Sequence, residues 1–521
     1  MPGGVEPAKL NLQLIRGAMI PYQLRSFVGG QSDYEDKGVV GSFKSGQNLD
    51  IRKQQDSLSG GQALTDDLAG GTFDAPCYAA VPASDGNTYF FLYNGKIYSR
   101  HSDGTYHLVY TETNDSGHIT GASEWYDNAG YTYIVYTTDL RVNIKRILGP
   151  AYTPAEPWTD VNTASTGTWP KTNLSKAASG ITWHRPVMSN GVLLIGNMNT
   201  LAQVGYDLSY TSNALQLIPG NIAKTIVERD IYAITGCVRS DNKDESALFS
   251  WDEVSLDWNS KEILKYGGLN AMIDTEIAIA QIGTAGQLYL SDLNSPMPIR
   301  QIRGGGQCDP DGMTSYHGMA LMGIFGNTSG NNGVYSYGRI NKNAGIVLNL
   351  EYALTCDEIY SVKTVGTDIL IVYKSGTAYG VKKVDFTTKA DFIYQSLDLI
   401  APLGTRRYPI PLGRLLNWQR IDLQCDPLPT GCKIEVWYRY DKQITQRTLA
   451  NGTQTDTNGW IQANMDKGFT GGGLQAQDAG QQNFIFYLGQ KARVMEIMIK
   501  GFSHLNTTPS INEANAYFTV G

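Results

Sequence analysis

Six histidines stand at 101, 107, 118, 184, 317 and 504, scattered along the chain. None belongs to an HExxH pair, the spacing that lets one helical face hold zinc beside a general base. His101 and His107 are close enough to meet across a hairpin, where a solvated turn explains both without a metal. There is no GxSxG elbow and no P-loop, so neither an activated serine nor a phosphate cradle is in view. Gly304-Gly305-Gly306 and Gly471-Gly472-Gly473 mark loops without the strand-to-helix context that phosphate binding needs. Asp309-Pro310-Asp311-Gly312 has the outline of a calcium loop, but lacks the third acidic position and the closing Glu. A turn is expected there. A glycosidase needs two carboxyls flanking the bond it cuts. The acidic residues Asp85, Asp139, Asp252, Asp292 and Asp368 fall at expected turns or strand ends, where aspartate commonly caps or turns the chain. The expectation is a chain with no catalytic, cofactor-binding or metal residue, and no enzyme.

Six cysteines, at 77, 237, 308, 356, 425 and 432, form no CxxC pair and no disulfide framework. Free buried thiols are expected. Trp251, Trp258, Tyr335, Tyr337, Trp437 and Tyr438 offer faces on which a sugar could stack. At period two inside strands, such residues are more often core.

These side chains must be positioned by short strands. The chain has 521 residues, with 57 Gly and 31 Tyr, and only 17% are charged; soluble domains average roughly 25%. That mix suits tight turns and half-buried aromatic faces. A net charge of −7 leaves no basic footprint for nucleic acid or an anionic membrane. No apolar run approaches membrane-spanning length, and the N-terminal stretch has no apolar signal core. The chain is expected to be made in the cytosol and not secreted, which leaves the sequon Asn327-Thr328-Ser329 to chance.

One pattern recurs. Gly86 to Tyr98 and Gly366 to Gly380 each read as a polar turn, an apolar-aromatic strand, a second turn and another strand. Such a unit cannot bury its own faces, so recurrence implies stacking. The spacing predicts a β-propeller of about seven blades over residues 76–397. The strongest strands are Tyr89 to Tyr93, Tyr131 to Tyr136, Val192 to Ile195, Ile231 to Ile234, Ile277 to Ile282, Met319 to Phe325 and Ile369 to Tyr373. Residues 151–180 read as an insertion loop. After Pro402, Pro409 and Pro411 the strands lengthen: Ile421 to Leu423, Lys433 to Tyr440, Asn483 to Leu488, Val494 to Ile499 and Ala516 to Val520. Residues 398–521 are therefore expected to form a C-terminal β-sandwich. Residues 1–75 are polar, with spaced apolar anchors at Leu10, Leu12, Leu14, Ile15, Ile20 and Leu24. They read as an extended N-terminal arm and leader reaching a neighbouring subunit or an adjacent protein of the same assembly.

Gln47-Asn48-Leu49-Asp50-Ile51-Arg52, followed by Asp56-Ser57-Leu58, resembles the leader before the first blade of many tailed-bacteriophage virion proteins. Asp85-Gly86-Asn87-Thr88-Tyr89-Phe90 with Gly95-Lys96-Ile97-Tyr98 is similar to their first blade. Gly333-Val334-Tyr335-Ser336-Tyr337-Gly338-Arg339, then Leu348-Asn349-Leu350-Glu351-Tyr352, resembles a later one. Cys425-Asp426-Pro427-Leu428-Pro429-Thr430-Gly431 and Asn506-Thr507-Thr508-Pro509 are similar to their terminal sandwich. The resemblance covers residues 45–521 and is strongest to the tail hub and nozzle proteins of short-tailed phages. It implies a homo-oligomeric ring in the virion tail, contacts with an adaptor or fibre protein, and passage of DNA without sequence-specific binding. It brings no catalytic residues. The alternative is a propeller that binds or cleaves carbohydrate at a host surface.

Overall fold

The computed structural model describes residues 19–25, 27–34, 41–52, 57–150, 152, 155–163, 168–178, 182–240, 245–264, 268–275, 278–291, 297–339, 345–400, 415–446, 448, 455–465 and 475–520. Nearly all regular structure in them is strand. No helix among them is long and apolar enough to cross a membrane. The chain divides into two compact units.

The larger unit is Thr65–Tyr337 with Ala353–Val384. Seven antiparallel sheets follow one another through its described residues. Their innermost strands are Cys77–Pro82, Ile119–Tyr126, Pro186–Ser189, Asn221–Arg229, Leu269–Ile273, Met313–Tyr316 and Glu358–Val365. Each lies against the next, and the last lies against the first. The unit is a β-propeller. Each of the seven strongest blade strands expected from the sequence falls on the second strand of a different sheet, because that strand is buried on both faces and reads as an unbroken apolar run. Leu370 and Ile371, on opposite faces of one such strand, are 1% and 0% exposed.

Neighbouring sheets pack through small residues. A Cβ on Gly236, in the second strand of the fourth sheet, would lie 2.6 Å from Leu269 on the next innermost strand. One on Gly323, in the sixth, would lie 2.5 Å from Ile359 of the seventh. Ring closure uses the start of the unit. Gln62–Phe73 supplies the outermost strand of the last sheet, beside Ala378–Lys389. Its Asp67 accepts two bonds from the Arg100 guanidinium of the first sheet, at 2.5 and 2.8 Å, and one from the Tyr106 hydroxyl at 2.7 Å. The expected insertion after Leu148 lies along the outer edge of the second sheet. Val142 and Lys171 exchange backbone bonds of 2.8 and 3.0 Å, and the Asn162 amide donates to Ile144 O at 2.7 Å. It pairs an edge that would otherwise be open.

The smaller unit is Met1–Leu64, Gly338–Tyr352 and Asp385–Gly521. One sheet runs Ile20–Arg25, Ser510–Val520, Leu416–Cys425, Asn483–Ala492, Asn464–Met465, with Leu58–Ser59 also on Ser510–Val520. The other runs Ile461–Gln462, Lys433–Tyr440, Val494–Phe502, Phe392–Gln395, Ser45–Gln47, with Leu399–Ile400 also on Val494–Phe502. Trp418, Phe484 and Phe518 of the first sheet share one buried cluster with Val436, Ile497 and Ile499 of the second.

Three boundaries differ from expectation. The described part of residues 1–75 is no free arm. Ile20 and Leu24 pack on the small unit's cluster, Leu49, Ile51 and Leu58 belong to it, and residues 65–73 pair into the propeller. An apolar-poor segment needs a sheet edge to satisfy its backbone, and this chain offers its own. Leu10, Leu12, Leu14 and Ile15 lie outside the described residues. The expected break at 397/398 falls instead at 384/385, because Phe392–Gln395 pairs with Val494–Phe502. Ile346–Ala353 does form the outermost strand of the sixth sheet, as expected of a blade, but residues 338–352 group with the small unit. There Asn48 N donates to Leu350 O at 3.1 Å, and the Asn349 amide donates to Leu49 O at 3.0 Å. Pro402, Pro409 and Pro411 lie outside the described residues.

Candidate functional site

The innermost strands break register with their partners at one recurrent place. The slips fall between Cys77 and Ala79, Ile119 and Gly121, Ala223 and Thr225, Leu269 and Ala271, and Ile359 and Ser361. Each leaves one residue unpaired: Tyr78, Thr120, Lys224, Asn270 and Tyr360. A β-bulge of this kind bends the strand and re-aims the extra side chain. The sixth sheet has an enlarged version. Gln307 bridges Phe325, Gly323 N donates to Gly312 O at 2.8 Å, and pairing resumes at Met313 with Met322, so Cys308–Asp311 stands clear of the ladder. The Asp-Pro-Asp-Gly motif is that excursion, and turn is the right description of it. In the third sheet His184 bonds Gly196 O and Asp139 O through its ring nitrogens, at 2.7 and 3.1 Å, with Trp183 beside it.

The re-aimed side chains come from blades far apart in sequence and meet. The Tyr78 ring lies 5.1 Å from Trp183 of the third blade, 5.1 Å from Tyr93 and 6.4 Å from Tyr360 of the seventh. The Lys224 ammonium of the fourth blade sits 5.8 Å from the Trp183 ring and donates to Asn270 Oδ1 at 3.3 Å. Asp311 gathers more. Its carboxylate accepts from Ala80 N at 2.9 Å, Ser361 Oγ at 2.6 Å, Lys363 Nζ at 2.7 Å and Arg185 Nη2 at 2.9 Å. Four donors from three other blades thus end on one side chain.

Asp309, two residues away, is different. Among the described residues no donor reaches its carboxylate, and it keeps partial exposure while protein surrounds it. Burial raises its pKa to about 7; the Lys224 charge opposes the rise, and Glu358 and Asp311 add to it. Burial likewise pushes the Lys224 and Lys363 ammonium groups down. The site is a desolvated acid and a desolvated amine, without a direct ion pair among the described residues; Trp183 lies against the amine, and Tyr78 and Tyr360 lie near enough to the acid to feel its charge.

The residues weighed from the sequence have other roles. His101 and His107 do meet, with rings 4.8 Å apart, and His101 faces Glu156 at 3.0 Å. Among the described residues no group of three or more potential ligands could hold a metal. Asp85 and Asp252 accept amides within their own turns, as expected, whereas Asp139 pairs with His118 and Lys176. Asp292 lies outside the described residues. Trp251, Tyr335, Tyr337 and Tyr438 are core, and all six cysteines are free and buried. Tyr78, Trp183, Arg185, Lys224, Tyr360 and Lys363 went unnoticed. A signal existed: Cys77-Tyr78-Ala79, Ala223-Lys224-Thr225, Leu269-Asn270-Ala271 and Ile359-Tyr360-Ser361 each place an odd side chain between an apolar and a small one.

No protein-family profile matches the chain, and no curated protein matches it. Solved structures do. The WD40 β-propeller domain of Doa1 is 15% identical, over 61% of this chain and 96% of that one, with a TM-score of 0.40. A chain of the mitotic checkpoint complex is 11% identical, over 62% and 94%, with a TM-score of 0.41. YCF48 is 9% identical, over 61% and 94%, with a TM-score of 0.40. At these identities the likeness concerns the fold alone.

Proposed function

We propose that the chain is a structural component of a bacteriophage virion, of the tail hub or nozzle kind. In this reading it forms a homo-oligomeric ring on the DNA path below the portal, touches other tail proteins such as an adaptor or fibre, and performs no catalysis. The observation that carries the reading is the fate of the leader. The stretch that resembles the phage leader is built into the small unit, with Leu49, Ile51 and Leu58 1%, 3% and 1% exposed in its core. Lys44, just before it, bonds Asp398 at 3.1 Å and Glu496, both buried. A leader fastened by core packing and buried charge suits a part that must hold its shape under load. The acidic balance of the chain adds a weaker argument, since a strongly basic wall would hold passing phosphates. The test is peptide mass spectrometry of purified virions. A fixed copy number per particle is expected, and absence of the chain from particles overturns the reading.

A second reading, recognition of carbohydrate at a host surface, is favoured by one observation: the aromatic walls around Asp309 and Lys224. A retaining or inverting glycosidase needs two available carboxyls. Asp311 is saturated by four donors, and Glu358 is paired with Lys374 at 3.0 Å. The group left available is Asp309, which supports binding over cleavage.

A further inference from the structure

We propose that the middle of the propeller, where Tyr78 and Trp183 gather with Asp309 and Lys224, binds one neutral hexose unit of a glycan. The inference rests on the second reading above and is independent of the virion reading. Three observations converge on it.

The first is the unspent polar capacity. A buried carboxylate costs stability unless it is paired and hydrogen-bonded. The same few ångströms of chain show both outcomes, because Asp311 has four donors and Asp309 has none among the described residues. Lys224 has three protons to donate and, among the described residues, one long bond of 3.3 Å, to Asn270. A ligand that donates to Asp309 and accepts from Lys224 would satisfy both.

The second is the aromatic surround. Pyranose rings present C–H faces that pack on aromatic rings, while their hydroxyls need partners at the rim. Tyr78, Trp183, Lys224, Asn270 and Asp309 all keep partial exposure, although the residues flanking Tyr78, Lys224 and Asn270 on the same strands are mostly buried. A bulge at each of these three strands is what turns the side chain inward.

The third is the charge balance. A cationic ligand would meet Lys224, and an anionic one would meet Asp309. A neutral polyhydroxylated ring avoids both conflicts and uses both groups. Its hydroxyls supply donors and acceptors in equal measure, which matches one acceptor side chain and one donor side chain; the Asn270 amide is already spent on Gln281 Oε1 and Gly283 O.

The test is isothermal titration of the full chain with a panel of neutral hexoses (glucose, galactose, mannose) and with glucuronate and glucosamine as charged controls, read in parallel by tryptophan fluorescence. One neutral hexose is expected to bind and perturb the fluorescence. Asp309→Asn should weaken it at least about tenfold, the loss of one charge-assisted hydrogen bond. Trp183→Ala should abolish it; where that variant fails to fold, Tyr78→Ala reads the same wall. Thermal unfolding of each variant separates lost binding from lost structure. Binding that survives both Asp309→Asn and Trp183→Ala unchanged overturns the site, while the carbohydrate reading stands. Failure of every neutral hexose to bind overturns both. Preference for either charged control overturns the neutral assignment.

Discussion

Two buried charge clusters, one in each unit, differ in one respect. In the small unit Glu496 accepts two bonds from Arg439, at 2.6 and 2.9 Å, and one from Lys44. Asp398 beside it takes Lys44 at 3.1 Å and Lys442 at 3.2 Å. Every carboxylate there is answered. In the propeller Asp311 is answered four times, and Asp309 has no donor among the described residues. Burial pushes the Glu496 carboxyl up, but the bonds and charges of Arg439 and Lys44 bring it below the ordinary value. Burial pushes Asp309 up too, and nothing bonded to it brings it back. A cluster that exists to hold a fold pairs its own charges; one with a desolvated group to spare is where the proposed ligand would be held.

The largest expected effect tests the closed cluster. Glu496→Ala leaves Lys44 and Arg439 buried without their carboxylate and should cost about 3–5 kcal/mol. Asp311→Ala, which strands Arg185 and Lys363, should cost a similar amount. Urea unfolding monitored by fluorescence measures both. A loss below about 1 kcal/mol in either would break the comparison, because the cluster would then behave like a surface ion pair.

Apolar controls sharpen it. Leu370→Ala removes a fully buried side chain and should cost about 2–5 kcal/mol. Gly236→Val drives a branched side chain into Leu269 between neighbouring blades and should cost about 1–3 kcal/mol. Neither touches a charge, so both losses should be the same in low and high salt. A salt-dependent loss in either control would mean that packing and charge cannot be separated here.

How much of this was legible in the sequence follows from which residues repeat. The second strand of each blade is apolar on both faces, so Thr88–Leu92 or Asp368–Ser375 announces itself. The innermost strands hide. Their register slips and their inward side chains differ from blade to blade, as Tyr78, Thr120, Lys224, Asn270 and Tyr360 show, so no period marks them. Asp311 was visible only as part of a turn. Its four partners lie between 50 and 231 residues away, a distance over which side-chain type carries no pairing information. The N-terminal strand was misjudged for a related reason. Ile20–Arg25 pairs with Ser510–Val520 at the opposite end of the chain, and an edge strand looks the same from its sequence whichever sheet it joins.

The smallest loss of stability is the most discriminating. Asp309→Asn removes a desolvated acid that has no bonded partner among the described residues, so the variant should lose nothing at neutral pH and should exceed the parent protein there. The sign of the pH dependence then separates the two clusters. Asp309 titrates at about 7 in the native protein against an ordinary 3.8. Between those values the native state keeps a proton that the unfolded chain has released. Stability from this group is therefore present at acid pH and declines as pH rises towards about 7. Glu496 has the opposite sign: its contribution is present above the ordinary Glu value of 4.5 and is lost as pH falls through its lower native value. Buried His184, pushed below its ordinary 6.5, adds a rise with pH up to that value, but it is the same in both proteins and cancels in their difference. Urea midpoints of parent and Asp309→Asn should therefore diverge in the variant's favour from about pH 4 to about pH 7 and then run parallel. Curves parallel over the whole range would show that Asp309 is not desolvated, and with that the contrast between a closed cluster and an open one would fall.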